Sequence, residues 1–484
     1  MAIHTAVLLL LAIPWFTLCV TRVSAQSPSW DTHAAAGRRY FEEGRYAEAE
    51  KQYLEAVRKA EEFGPKDSRL SVSLSNLAVV YRAQGRFAEG ERLYKRSLEI
   101  DQSAPGAENL QVATTLNNLA VLYRDMGRYA EAVSLQRQAL AIDEKALGRN
   151  HFTVARDLGN LAGALEKQGK YAEAEPLCQR ALEIMKEVRG PEHPDTATIL
   201  VVLAVLYERR ARYAEAEPLN LRSLAIVEKA FGPHHLKLAP ILSNLAILYQ
   251  TQGKYDEAEP LLQRSLSIYE ESLGPEHPEG AKVQTSLAGL YVLEGKYAEA
   301  EPLYRGALAT MVKALGPDHP HIAVNLNNLA VLYRKTGKYH EAETLCQRAL
   351  VIVEKALGPD HPYRAISLEN LAVLKNEQNK NVNVEALHRR ALALEEKALG
   401  PDHPDLAGTL NNLAASYHAE GRYAEAEKLF RRSLSILEKS LGPDHPSVVA
   451  VMDNLANLYA SQGKRREAEK METRASALRA RRPE

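Results

Sequence analysis

The sequence predicts an all-α, right-handed superhelical solenoid of about eleven stacked helix-turn-helix repeats. Three observations carry that expectation. Gly148, Gly190, Gly232, Gly274, Gly316, Gly358, Gly400 and Gly442 stand at one constant spacing, and Gly64 and Gly106 extend the series backwards. A second breaker series has the same period: Gly85, Gly127, Gly169, then Ala211, then Gly253, Gly295, Gly337, Asn379, Gly421 and Gly463. Between breakers the apolar residues recur at i, i+3, i+4 and i+7, so both elements of each unit are helices. A fixed period of this length marks a stacked repeat protein. Composition agrees with a folded chain, with 25% charged and 45% hydrophobic residues in 484. Lys+Arg number 61 against 62 Asp+Glu. That balance gives no global field toward nucleic acid or anionic lipid.

Read in order, the chain opens on an apolar run from Ala6 to Val20, followed by Val23-Ser24-Ala25 before Gln26. This pattern predicts a signal peptide over residues 1–25 and export to the periplasm, envelope or medium. The alternative, an uncleaved anchor, is short of the roughly 20 residues that span a bilayer. No membrane span is then expected in the mature chain. A short linker, 26–30, leads into a continuous array over 31–480 and a basic tail, 481–484. The repeats end near residues 64, 106, 148, 190, 232, 274, 316, 358, 400, 442 and 480.

Repeat one, Asp31 to Phe63, is short by a residue, since Gly44 stands one position closer to Gly85 than the period requires. Repeat eight shows the standard unit. Leu326, Leu329, Ala330 and Tyr333 form one face of its first helix, and Ala342, Leu345, Cys346, Ala349, Leu350 and Val353 one face of its second. Gly358 then suits a left-handed cap, and Pro362 the first turn of the next helix. Pro176, Pro218, Pro260 and Pro302 sit deeper than the first turn and imply a late start or a bend. Repeat nine departs most: Lys375 replaces the core tyrosine and Asn379-Lys380-Asn381-Val382-Asn383 replaces Gly-Lys-Tyr, which predicts a weak point or hinge. Arg465 to Arg482 is charged, as a terminal capping helix is.

These repeats resemble the tetratricopeptide repeat, and most closely the 42-residue kinesin-light-chain type. The resemblance rests on Leu315-Gly316-Pro317-Asp318-His319-Pro320 and Gly253-Lys254-Tyr255-Asp256-Glu257-Ala258-Glu259-Pro260. It implies a protein-interaction scaffold or adaptor that holds an extended peptide or partner subunit in a concave groove. Two other functions stay open, a cytoplasmic cargo adaptor like kinesin light chains and a self-associating structural array. The oligomeric state is open too. No non-repeat span beyond the segment that precedes Asp31 could hold a catalytic domain, so no enzyme is expected.

The period also disposes of several chemistries. His151, His193, His235, His277, His319, His361, His403 and His445 recur once per repeat, in register. Equivalent positions in stacked repeats are too far apart to share a metal ion. They read as turn residues that pack or hydrogen-bond between repeats. Cys178 and Cys346 occupy the same position four repeats apart and are predicted to be free core thiols. The glutamates of Ala-Glu-Ala-Glu read as a solvated face favoured by the helix dipole. No phosphate loop, nucleophile elbow or zinc-protease motif occurs, so no cofactor and no catalytic or metal-binding residue is expected. The basic end, Arg474 to Arg482, lacks aromatics for stacking nucleic-acid bases.

The candidate site is an asparagine series on the first helices: Asn76, Asn118, Asn160, Asn244, Asn328, Asn370, Asn412 and Asn454, interrupted by Val202 and Ser286. In the family it resembles, this position faces the groove, and the amide binds a peptide backbone. A primary amide offers donors and an acceptor together. The other reading is an asparagine ladder bridging adjacent helices. Arg82, Arg124 and Arg334 lie a turn and a half further on, where Glu166 and Glu208 stand in repeats four and five. The groove is therefore expected to be basic at repeats two and three, and an acidic segment of the partner to bind there. A solvated charge face is the alternative.

Overall fold

The computed structural model describes residues 28–103, 110–378 and 384–480. Among these there are 22 α-helices and no strand, arranged as eleven consecutive hairpins from Pro28–Glu42 with Tyr46–Glu61 to Pro446–Ser461 with Arg465–Ala480. Residues 1–27, 104–109, 379–383 and 481–484, on which the signal-peptide expectation, the breakers Gly106 and Asn379, the hinge expectation and the basic tail fall, lie outside the described residues.

Small residues set the packing. Ala78, Ala120, Ala162, Ala204, Ala246, Ala288, Ala330, Ala372, Ala414 and Ala456 are buried on the first helices. On the second helices Ser97, Ala139, Ala181, Ser223, Ser265, Ala307, Ala349, Ala391, Ser433 and Ala475 are wholly buried. The serines of this set donate across the hairpin to first-helix carbonyls, Ser97 to Ser71 at 3.0 Å and Ser265 to Ala239 at 2.8 Å. A side chain larger than alanine or serine would push the paired helices apart.

The turns within and between hairpins have separate locks. Inside nine of the hairpins a glycine takes positive φ, and in repeat five Ala211, alone among the described non-glycine residues, does so, at φ 53°. Where the first helix carries a tyrosine, the Arg or Lys that follows the turn lies on its ring, 3.8 Å from ring to guanidinium for Arg128 on Tyr123 and 3.9 Å for Arg422 on Tyr417. The same cation and the tyrosine hydroxyl share a glutamate of the preceding repeat. Tyr123 donates to Glu91 at 2.9 Å, and Arg128 pairs with that carboxylate at 3.1 Å. The second glutamate of Ala-Glu-Ala-Glu takes this role: Glu217, Glu259, Glu301 and Glu427 each accept from the next repeat's tyrosine. It is therefore an inter-repeat bridge, not the solvated residue the sequence suggested.

Between hairpins the histidine series caps helices. Nδ1 of His151, His193, His235, His277, His319, His361, His403 and His445 accepts the backbone N–H two positions on, at 3.1–3.2 Å. This satisfies an otherwise orphaned donor in the first turn. The helices that contain Pro176, Pro218, Pro260 and Pro302 start at Tyr171, Tyr213, Tyr255 and Tyr297, in phase with the proline-free Tyr339 and Tyr423. The prolines do not delay the start.

The stack coils back on itself after about six repeats. The hairpin turns of repeats one to four meet the histidine turns that open repeats seven to ten. A Cβ placed on Gly44 would lie 2.6 Å from the His277 ring. On Gly85, Gly127 and Gly169 it would lie 2.7–2.9 Å from Pro320, Pro362 and Pro404. The seam is polar at its centre. With Nδ1 accepting, the proton of His319 sits on Nε2 and is donated to the Ala83 carbonyl at 3.1 Å. His361 and His403 face the equivalent turns, and burial lowers the basicity of all four seam histidines, His319 and His361 to about 4.

Candidate functional site

First helices of successive repeats approach one another more than second helices do, so they form the inner wall of the curve. Polar rungs cross this wall. Arg82 pairs with Asp125 at 2.8 Å, Glu166 with Arg209 at 2.8 Å, and Arg334 with Glu377. Asn412 donates to Glu369 at 2.8 Å, and the buried His388 meets the other oxygen of Glu369 at 2.7 Å. Each of these wall rungs joins positions separated by 43, one repeat plus one residue. A deeper set joins Asn117 to Asp157 at 2.9 Å, Asn325 to Thr285 at 3.0 Å and Asn327 to Ser367 at 2.9 Å.

The asparagine series lies beside these rungs. Asn76, Asn118 and Asn244 are buried, and Asn160, Asn328, Asn370, Asn412 and Asn454 are half-buried. Among the described residues only Asn412 of the series is seen using its amide on a wall rung. The ladder is built instead by charged residues and by Asn117, Asn325 and Asn327. The doublets Asn117-Asn118 and Asn327-Asn328 in the sequence were its visible trace.

The charges beside the series are largely paired. Arg82 and Arg334 are each held by an acid of the next repeat. Arg124 differs: its nearest carboxylate is Asp125 at 3.9 Å, which already serves Arg82. Burial works to raise the Glu166 carboxyl, but Lys167 and Arg209 outweigh it and hold it below the usual range. Glu208 lacks so close a pair, and burial pushes it up to about 7. The acidic stretch at repeats four and five is thus partly neutralised.

Where Val202 interrupts the series, the wall opens into a cavity of about 50 Å³. Gly163, Thr198, Val201, Val202, Val205 and Leu206 line it, with Asn244 at one side and Arg124, Glu166 and Lys167 around it. Gly163 is a second departure: Val79, Val121, Val205, Ile247, Val331 and Val373 fill its position elsewhere, whereas repeat seven also carries glycine there, at Gly289. Val202 stands out in the sequence as a break in the asparagine series, whereas Gly163 breaks no series of its own. Cys178 and Cys346 are buried, unbridged thiols pushed up to about 12 by burial. Among the described residues no group of three or more His, Cys, Asp or Glu is placed to hold a metal ion. Nor is any helix there long and apolar enough to cross a membrane.

Fold and wall together define a solenoid of stacked helical hairpins with a curved inner surface. The chain belongs to the tetratricopeptide repeat family, whose model matches residues 32–89, 69–145, 153–229, 209–271, 238–309, 281–343, 321–397, 385–438 and 405–481. It is similar to BtubC (BKLC) from P. vanneervenii, 24% identical over 51% of this chain and 94% of that one, with a TM-score of 0.38. It is also similar to a Podosopora anserina putative kinesin light chain with nearly identical TPR-like repeats, 28% identical over 43% and 98%, TM-score 0.35. A Rap protein complexed with Competence and Sporulation Factor shares the fold at 14% identity over 76% and 99%, TM-score 0.50. No curated protein matches the sequence.

Proposed function

We propose that the chain is a protein-interaction scaffold that holds an extended peptide, or an extended segment of a partner subunit, along its inner wall. One observation carries this reading: the wall's charged residues are largely paired in cross-repeat rungs, while the adjacent asparagine amides, Asn412 apart, are not used on those rungs and remain for a ligand. Such amides match a peptide bond of any sequence. Arg124 favours an acidic residue in the ligand near repeats two and three. Replacing Asn118, Asn160 and Asn328 together by alanine is expected to weaken peptide binding by roughly 10- to 1,000-fold, since each neutral hydrogen bond contributes about 0.5–1.5 kcal/mol. Titration calorimetry with peptides selected on the native chain measures this, and unchanged affinity refutes the reading. A light-scattering mass of one chain opposes the self-associating array. Export, proposed from residues 6–25, is tested by sequencing the N-terminus of the native protein, which is expected to begin at Gln26.

A further inference from the structure

We propose that the gap in the asparagine series at repeat five is a specificity pocket for one aliphatic side chain, Val, Ile or Leu, lying next to a carboxylate in the bound segment. The proposal rests on the peptide-binding reading above and names what that peptide must contain.

Two substitutions make the pocket. Val202 puts carbon where most other repeats carry an amide and repeat seven carries Ser286, and Gly163 removes the valine or isoleucine that fills this space in most other repeats. A Cβ on Gly163 would meet nothing within 4 Å, so the space is open. A water needs about 10–15 Å³ by this measure. The cavity of about 50 Å³ therefore admits three or four water-sized groups, the size of an isopropyl or isobutyl group and too small for an aromatic ring. Its lining by Val201, Val202, Val205 and Leu206 offers water few partners and favours hydrocarbon.

Asn244 supplies the independent sign of a ligand. Its side chain is 2% exposed, and neither Oδ1 nor Nδ2 has a hydrogen-bond partner. A buried amide left unsatisfied is unfavourable. The peptide group of the residue whose side chain enters the pocket offers both a donor and an acceptor to it. Arg124 stands at the rim without a close carboxylate of its own, and Lys167 adds a second cation beside Glu166. A neighbouring Asp or Glu of the ligand completes the match.

Selection of a random peptide library on the full mature chain tests the proposal, with affinities of the winners measured on variants. The expected result is enrichment of an aliphatic residue adjacent to an acid. Gly163→Leu, which fills the cavity, is expected to weaken those peptides at least tenfold with the melting temperature kept. Val202→Asn is expected to abolish the aliphatic preference. Peptides that bind without this motif, and equally well to Gly163→Leu and Val202→Asn, overturn the pocket and leave the groove standing. If no peptide is enriched over a variant with Asn118, Asn160 and Asn328 changed to alanine, the groove reading falls and the pocket with it.

Discussion

The histidine series shows how one residue type serves three purposes. Nδ1 caps a helix at the start of each repeat from four to eleven, and the cap fixes the proton on Nε2. In repeats seven to ten that nitrogen then faces the seam between coil turns. The cap predicts that His445→Ala lowers stability by about 1 kcal/mol in urea denaturation while His445→Asn has little effect, because asparagine also caps. Ala211 sits in the left-handed region where its counterparts are almost all glycine. Non-glycine residues there cost roughly 1–2 kcal/mol, so Ala211→Gly is expected to raise stability, by about 1 kcal/mol after the added freedom of the unfolded chain. Equal or lower stability would show that the turn is not strained. Asp157 is a third case. It is buried, accepts from Asn117, and its carboxyl is raised chiefly by burial and then by the neighbouring buried Asp143. A raised carboxyl binds a proton in the folded state that the unfolded state releases, so stability is lost as pH rises above the ordinary carboxylate range. Asp157→Asn is expected to stabilise at pH 8 and to change little at pH 4.

At the scale of the element, much was legible because each turn demands a particular backbone. The two breaker series located both ends of nearly every helix, since a hairpin turn and a C-cap each need positive φ. The roles of polar residues were less legible. The second glutamate of Ala-Glu-Ala-Glu meets a tyrosine of the following repeat, a relation that depends on how one hairpin leans on the next. The same contact explains repeat nine. Lys375 stands where others have tyrosine, yet its Nζ reaches Glu343 at 2.9 Å, the equivalent carboxylate. The bridge survives while the buried ring is lost. Lys375→Tyr is therefore expected to increase hydrogen-exchange protection over Tyr363–Glu377. No change there would mean that the ring contributes nothing at this interface. Gly163 was passed over because a glycine inside a helix has no local signature. Its meaning appears only when the position is compared with Val79, Val121 and Ile247.

The whole molecule was the least legible scale. The period announces a coil, but its pitch follows from the small rotation between hairpins, which no motif spells out. The seam of Gly44, Gly85, Gly127 and Gly169 against the histidine turns is the outcome. Its acid response follows in sign. Seam histidines have lowered folded values, so closure is fully favoured above about pH 6.5. It is lost as pH falls toward 4, where the open form takes up protons. The groups facing them are Tyr46, Arg82, Asp125, Glu166, Lys167 and Arg209 on one side and Glu279, Lys282, His321, Tyr363 and Asp405 on the other. Small-angle scattering is expected to show the chain extending between pH 7 and pH 4.5. Replacing His319, His361 and His403 by asparagine, which keeps the caps, is expected to flatten that dependence.

The central claim is that partners are held on the inner wall rather than on the outer face. Site-specific photocrosslinking in native cells tests it most directly, with the reactive residue placed at Asn328 on a first helix or at Val351, which is 66% exposed on a second helix. The account predicts a discrete partner band from position 328 that is absent from position 351 and is lost when Asn118 and Asn160 are changed to alanine. A partner captured from position 351 and not from position 328 would contradict it.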